Sequence, residues 1–242
     1  MKPRFLLYAG PDGSGKSTLQ RGGGPSRWDR KNHLDAVDLA RDLARDHAIK
    51  VTKRFGIALE REHWERIILA GDRYPKFAHL VADAEVQVGG GVLSVSSAGD
   101  FAAVATLATE LIRARLLEEQ VSFSLESVLS HPTEVDMLEH FRTQGYSVGL
   151  IYVTTVNPSI NVWRVRARAR QGGHSVPEGE IVSRYYRSLD LLLPAMLASD
   201  RAHLFDNSQE TMLEVARWEE GELALLRKQL PYWVRSSILQ HL

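Results

Sequence analysis

Gly10-Pro11-Asp12-Gly13-Ser14-Gly15-Lys16-Ser17-Thr18 carries the pattern G-x-x-x-x-G-K-[S/T] of a phosphate-binding loop. Its glycines let successive backbone N–H groups turn inward around a polyphosphate. In that pattern Lys16 reaches the β- and γ-phosphates, and the Ser17 hydroxyl serves Mg²⁺. Gly10, Asp12, Gly13, Ser14, Gly15, Lys16, Ser17 and Thr18 are therefore the candidate nucleotide-binding residues, with ATP and Mg²⁺ the implied cofactors. The flanks agree: Arg4 to Ala9 is a short apolar run of strand type, and Ser17 onward opens a helix whose N-terminus faces the phosphates.

Downstream, strands and helices alternate. Phe101 to Glu119 reads as a helix, because Val104, Leu107, Ala108, Leu111, Ile112 and Leu116 recur at three- and four-residue steps. Val121 to Leu125 is a short strand, and Thr133 to Gln144 a helix capped by Gly145. Ser147 to Thr154 is a buried strand stopped at Asn157-Pro158. A basic helix follows over Pro158 to Ala169, closed by Gly172-Gly173, and another runs from Glu178 to Leu193, ended by Pro194. Ala202 to Phe205 is the last expected strand, with helix dominating to the end apart from a break at Pro231.

This alternation predicts an α/β fold: a doubly wound parallel sheet of the P-loop NTPase or kinase type, with flanking helices. We expect a single domain over 1–242, with a helical, arginine-rich lid at about 158–188. Arg21 to Ser26, with its three glycines and Pro25, breaks the first helix early. Residues from about 49 to 99 fit the scheme least and read as an insertion. It holds an amphipathic piece over Ile57 to Leu69, a loop with Gly71, Pro75 and Lys76, and a hairpin of Val86 and Val88 against Val92, Leu93 and Val95 across Gly89-Gly90-Gly91.

Composition narrows the function classes. Thirty basic and thirty acidic residues cancel, so no global positive field argues for nucleic acid. The absence of cysteine excludes disulfides and thiolate metal sites. The apolar run after Met1-Lys2-Pro3-Arg4 is too brief for a signal peptide and is needed as the first strand. No stretch approaches the roughly 18 apolar residues of a membrane span. The expectation is a soluble cytoplasmic protein without a membrane partner.

A kinase also needs a base near the acceptor hydroxyl, cations for the moving phosphoryl group and an acceptor pocket. Ser122-Phe123-Ser124-Leu125-Glu126 ends in a carboxylate flanked by hydroxyls, which suits a polar acceptor site, with Ser124 and Glu126 the candidate residues. The strand over Leu150 to Val153 ends in Thr154-Thr155, without an acid. Arg164, Arg166, Arg168 and Arg170 lie on the basic helix, with Arg164 and Arg168 on one face and Arg166 and Arg170 on another. The turn Gln171-Gly172-Gly173-His174-Ser175-Val176-Pro177 then leads to Arg184. Such a helix–loop–helix closes over ATP and brings guanidinium groups to the γ-phosphate. A basic run also reads as a solvated face or an RNA-binding arm; neutral net charge and the lack of interleaved aromatics argue against the arm.

These segments together resemble the zeta-toxin kinases: Ser122 to Ser130, Gly145-Tyr146 and its strand, Arg164-Val-x-x-Arg168, Gly172-Gly-His-x-Val-Pro177, Arg184-Tyr-x-Arg-Ser188 and Asp206-Asn-Ser208. The resemblance implies transfer of the γ-phosphoryl group of ATP to a sugar hydroxyl of UDP-N-acetylglucosamine, with some relatives phosphorylating other nucleotides such as NAD. It implies that Lys16 and Ser17 hold ATP and Mg²⁺, that Glu126 contacts the acceptor, and that Arg168 and Arg184 steady the phosphoryl group. The catalytic aspartate of the family maps to Asp35, in His33-Leu34-Asp35-Ala36-Val37, with Asp38 the competing choice. An antitoxin protein is the implied partner. The family's threonine-rich continuation after the glutamate is Ser127-Val128 here.

Overall fold

A computed structural model describes residues 2–22, 32–69, 84–96, 99–171 and 175–242. In chain order the elements begin with β1 (Arg4–Ala9), α1 (Lys16–Gly22), β2 (His33–Leu34), α2 (Ala36–Asp46) and β3 (Ala48–Lys50). Next come α3 (Val51–Phe55), α4 (Arg61–Leu69), β4 (Gln87–Gly89), β5 (Val92–Ser94) and α5 (Phe101–Glu118). β6 (Phe123–Ser127), α6 (Thr133–Thr143), β7 (Ser147–Thr154), α7 (Pro158–Arg170), α8 (Glu178–Asp190) and α9 (Leu192–Leu197) follow. The chain ends with β8 (Arg201–Asp206), β9 (Leu213–Glu219), β10 (Glu222–Leu225), α10 (Tyr232–Val234) and a π turn over Arg235–Leu239.

The chain divides into two compact units, 1–28 with 124–242 and 29–123. The first carries the phosphate loop. Its sheet has the order β10-β9-β8-β7-β1-β6. β1 pairs in parallel with β7, and β7 with β8. β7 is buried along nearly its whole length, as a central strand covered on both faces must be. A mainly parallel sheet with flanking helices is what the alternation of the sequence led us to expect.

The far edge differs from that expectation. Residues 213–225 are a hairpin rather than helix, so Ala202 to Phe205 is not the last strand. β9 runs antiparallel to β8, and β10 antiparallel to β9. Glu219 pairs with Glu222, leaving Glu220 and Gly221 as a two-residue turn with φ of 53° and 91°. Both central residues at positive φ match the right-handed twist of a hairpin. β6 also begins and ends two residues later than predicted, which puts Glu126 inside the strand. The predicted helix over Glu178 to Leu193 breaks at Leu191, and Pro194 sits in the first turn of α9, where its missing N–H has no intrahelical acceptor to lose.

In the second unit α2 packs on α5, burying Leu39 and Leu43 of α2. Asp100 caps α5 by accepting from the N–H groups of Ala102 and Ala103. β4 and β5 form the expected hairpin, turned by Gly90 and Gly91 at φ of 58° and 77°, and β3 pairs with the other side of β5. The amphipathic piece is helical only from Arg61; Ile57 and Leu59 are buried ahead of it. Gly23 to Ser26, the loop with Gly71, Pro75 and Lys76, and Gly172-Gly173-His174 lie outside the described residues. Among the described residues no helix is long and apolar enough to cross a membrane.

Candidate functional site

The apolar bed beneath the phosphate loop is Leu6, Tyr8, Ile151, Val153 and Phe205, with Leu19 and Met212 packed against it. On it the chain leaves β1 at Gly10, whose φ is 132° and where a Cβ would meet the carbonyl oxygen of Val153 at 2.0 Å. Gly15, at φ 103°, lies so close to Asn207 that a Cβ would meet its Nδ2 at 2.3 Å. Only glycine fits either place.

Two asparagines hold the loop's backbone. Asn161 on α7 donates from Nδ2 to the carbonyl oxygen of Asp12 at 2.6 Å, and Asn207, just after β8, donates from Nδ2 to that of Ser14 at 2.7 Å. Asn161 is fully buried, and its Oδ1 accepts from Thr155 Oγ1. The carbonyl of Thr155 in turn accepts from the Tyr185 hydroxyl on α8 at 2.6 Å. Burial pushes that phenol up to about 12, so it remains a donor. Asp206 accepts from Trp233 Nε1 at 2.8 Å and from the Ser208 N–H, and Ser208 Oγ accepts from the Val156 N–H. The Asp206-Asn207-Ser208 run is thus a clamp on the loop and on the end of β7. Motif reading had flagged this run without giving it a task, and nothing in the local pattern singled out Asn161.

The charged groups converge here as well. Lys16 is buried, and its Nζ donates to the carbonyl oxygens of Gly10 at 2.8 Å and Pro11 at 3.0 Å. Ser17 Oγ lies 3.0 Å and 2.8 Å from the two carboxylate oxygens of Glu126, and Lys16 Nζ is 3.9 Å from Glu126 Oε1. Arg184 on α8 reaches Asp12 Oδ2 through Nη1 at 3.2 Å and Glu180 through Nε at 2.8 Å. Burial alone would lower the Arg184 pKa, but the hydrogen bond to Glu180 and the charge of Asp12 outweigh it and hold the guanidinium above its ordinary value.

Lys16, Ser17, Asp12, Arg184 and Glu126 therefore form one group. Ser124 is buried on β6 and Thr18 is exposed on α1. Arg168 is exposed on α7, and Arg166 pairs with Glu178 at the surface. Arg164, one turn before Arg168, keeps a buried Nη1 with no hydrogen-bond partner. Asp35 belongs to the second unit, where it caps α2 by accepting the Val37 N–H at 2.8 Å; Asp38 pairs with Arg41 at 2.6 Å.

The residues present fit the expected ligands. Gly10, Gly13 and Gly15 all take positive φ, as a loop that turns its N–H groups inward requires, and the buried hydroxyl of Ser14 has no hydrogen-bond partner. Ser17 and Glu126 offer hard oxygens of the kind Mg²⁺ takes.

Comparison with known proteins agrees with this geometry. Residues 94–214, half of the chain's 242, match the family model described as zeta toxin. That span covers Glu126, the arginine helix and Asp206-Asn207-Ser208, and begins after the phosphate loop. An uncharacterized protein of Haemophilus influenzae is 29% identical over 69 residues, 28% of this chain and 49% of that protein. The crystal structure of the AvrRxo1-ORF1:-ORF2 complex superposes with a TM-score of 0.57 at 14% identity, covering 98% of this chain and 65% of that one. The same pair with ATP gives 0.54 at 14% identity, over 93% and 61%. The chain thus spans about half of the Haemophilus protein and under two thirds of the AvrRxo1 chains, with which it shares the fold.

Proposed function

Since this chain belongs to the zeta toxin family, we propose that it is a kinase that moves the γ-phosphoryl group of ATP to a hydroxyl of a nucleotide-sugar such as UDP-N-acetylglucosamine. The observation that carries this reading is the finished phosphate loop, with Lys16 and Ser17 at its end and Arg184 already held against it through Asp12. A guanidinium brought to the loop from a second helix supports phosphoryl transfer, since it offsets the charge that develops on the moving group.

In the proposed reaction the acceptor oxygen bonds to the γ-phosphorus as the bond to the β-phosphate breaks, leaving ADP. Asp35 takes the acceptor's proton. Lys16, Arg184 and Arg168 offset the charge that spreads over the phosphoryl oxygens. Mg²⁺, bound with ATP, would neutralise charge on the β- and γ-phosphates; Ser17 is the residue assigned to it from the motif. The family name, and the two-protein AvrRxo1 assemblies that share this fold, support an antitoxin-like partner protein.

The test is incubation of the protein with γ-labelled ATP and a panel of UDP-N-acetylglucosamine, other nucleotide-sugars, NAD and nucleosides. Label on the nucleotide-sugar is the expected result. Label on NAD or a nucleoside instead moves the protein to the nucleotide-kinase reading. ATP binding with no acceptor labelled overturns the kinase and leaves an ATP-gated interaction module.

A further inference from the structure

The end of the sheet opposite the phosphate loop holds a cavity of about 420 Å³. Its walls come from the starts of three parallel strands and from the β9–β10 turn. Lys2 lies just ahead of β1, Ser147 opens β7, Arg201 opens β8, and Trp218 and Glu220 stand at the end of β9. Arg142, in the last turn of α6, also lines it. At about 3.3 Å per residue, the six residues of β1 put roughly 20 Å between this cavity and the phosphate loop.

Three cations line this space. Among the described residues Lys2 forms no ion pair, and Arg142 makes one long contact, from Nη1 to the Leu197 carbonyl oxygen at 3.5 Å. Arg201 spends its Nε on Glu219 at 3.0 Å. The acids in the lining are Asp200 and Glu220. Asp200 Oδ2 accepts the Val148 N–H at 2.8 Å, which commits that carboxylate to β7. Strand order sets the groups out in a line. β1, β7, β8 and β9 are successive neighbours, so Lys2 and the half-buried Trp218 stand three strands apart, roughly 14 Å at about 4.8 Å per strand. Cations on an ordinary surface are spread out or paired with acids. Here two of them share a concavity with an aromatic ring, which is how sites for small ligands are built.

We propose that this cavity is a second ligand site, one that takes a nucleoside monophosphate. Lys2 and Arg142 supply charge-assisted hydrogen bonds to the phosphate. Trp218, at the other end of the line, offers a face on which a base stacks, and stacking accepts either a purine or a pyrimidine. Glu220, beside it in the chain, accepts from ribose hydroxyls or a base amine. The volume falls within the range of about 300–1,000 Å³ usual for small-molecule sites. An α/β sheet binds its substrates at the carboxyl ends of its strands, and this cavity lies at the amino ends. Its ligand therefore takes no part in the phosphoryl transfer, and the site stands whether or not the kinase reading does.

The test titrates AMP, UMP and inorganic phosphate into the full chain, following heat and tryptophan fluorescence. The variants are Lys16→Ala, which disables the phosphate loop, a form carrying both Lys2→Ala and Arg142→Ala, and Trp218→Phe. Wild type and Lys16→Ala should bind the monophosphates alike. The Lys2 and Arg142 form should bind them about tenfold or more weakly with its melting temperature kept, since both side chains are exposed. Trp218→Phe keeps a stacking face, so its affinity should hold within about threefold while the quenching of fluorescence by the bound base disappears. Loss of binding in Lys16→Ala, or full affinity in the Lys2 and Arg142 form, places the monophosphates in the phosphate loop and overturns the proposal. Inorganic phosphate binding as tightly as AMP removes the base from the site and overturns it too, as does a wild type that binds neither monophosphate.

Discussion

Arg184 on α8 donates to Asp12 in the phosphate loop, Nη1 to Oδ2 at 3.2 Å, while Glu180 one turn earlier holds its Nε at 2.8 Å. The side chain is one third exposed, so a pair of this kind adds little to stability. Its value is positional. Two acids fix the plane of a guanidinium beside the loop, and in the proposed reaction a group placed in advance would lose less freedom as charge develops on the phosphoryl oxygens. Valine and isoleucine side chains on α7 and α8 (Val162, Val165 and Ile181, with Val182) pack the two helices together and keep that placement.

Arg184→Ala should therefore lower kcat by roughly a hundredfold with a smaller change in ATP affinity and in melting temperature. Arg184→Lys should rescue poorly, because a point charge cannot replace a planar fork. Arg166→Ala is the control. Its partner Glu178 and Arg166 itself are both more than half exposed, and the loss should stay within about twofold. Initial rates of label transfer for the three variants decide it; equal losses at Arg184 and Arg166 would remove the lid role.

Asp35 and Asp38 make different contacts in the structure. Asp35 is the N-cap of α2, and Asn caps a helix as well as Asp does, so Asp35→Asn should leave the melting temperature nearly unchanged. In the proposed reaction it removes the proton acceptor, and acceptor phosphorylation should then fall by roughly two orders of magnitude with ATP affinity kept. Asp38 spends its carboxylate on Arg41 at the surface, and Asp38→Asn should be nearly silent. A loss at Asp38 with Asp35 indifferent would reverse the assignment.

The loop and the strands on either side of it were legible because their signals are local: glycines at fixed offsets, an unbroken apolar run over Ser147 to Thr154, and three- and four-residue steps in Phe101 to Glu118. The β9–β10 hairpin was not. Its turn is Glu220-Gly221, inside a run of glutamates that also suits an exposed helix, and only pairing with β8 decides between them. The same limit hid Asn161. An asparagine mid-helix reads as a weak helix former until the carbonyl it serves, 149 positions earlier in the chain, is known.

The β8–β9 edge should set part of the protein's acid sensitivity. Burial alone would raise the Glu214 carboxyl, but hydrogen bonds from Arg217 and His203 outweigh it and hold it below the ordinary 4.5. A carboxyl depressed on folding stabilises above its unfolded value and loses that contribution as pH falls through the folded one. Melting temperature followed downward from pH 7 should fall more steeply below about 4.5 in wild type than in Glu214→Gln. The two curves should converge in acid. Parallel curves would mean the cluster contributes nothing to folding.

Asn161 offers the sharpest separation of loop positioning from general stability. Asn161→Ala leaves the Asp12 carbonyl without the amide that serves it and takes one of two acceptors from the Thr155 hydroxyl, which keeps the Asn157 carbonyl at 3.0 Å, at a cost of about 1–3 kcal/mol. Ser188→Ala makes the comparison, since it removes a fully buried hydroxyl, 3.1 Å from the Tyr152 hydroxyl, that makes no contact with the loop. Both should lower the melting temperature. Only Asn161→Ala should weaken ATP, by about tenfold, because the backbone N–H groups that cradle the phosphates are aimed by the carbonyls Asn161 and Asn207 hold. Asn207→Ala should repeat the loss in ATP affinity from the other side of the loop. Thermal denaturation alongside ATP titration reads both quantities on the same samples. Equal loss of ATP affinity in the Asn161 and Ser188 variants would show that the loop responds to overall stability and owes nothing to its asparagine clamp.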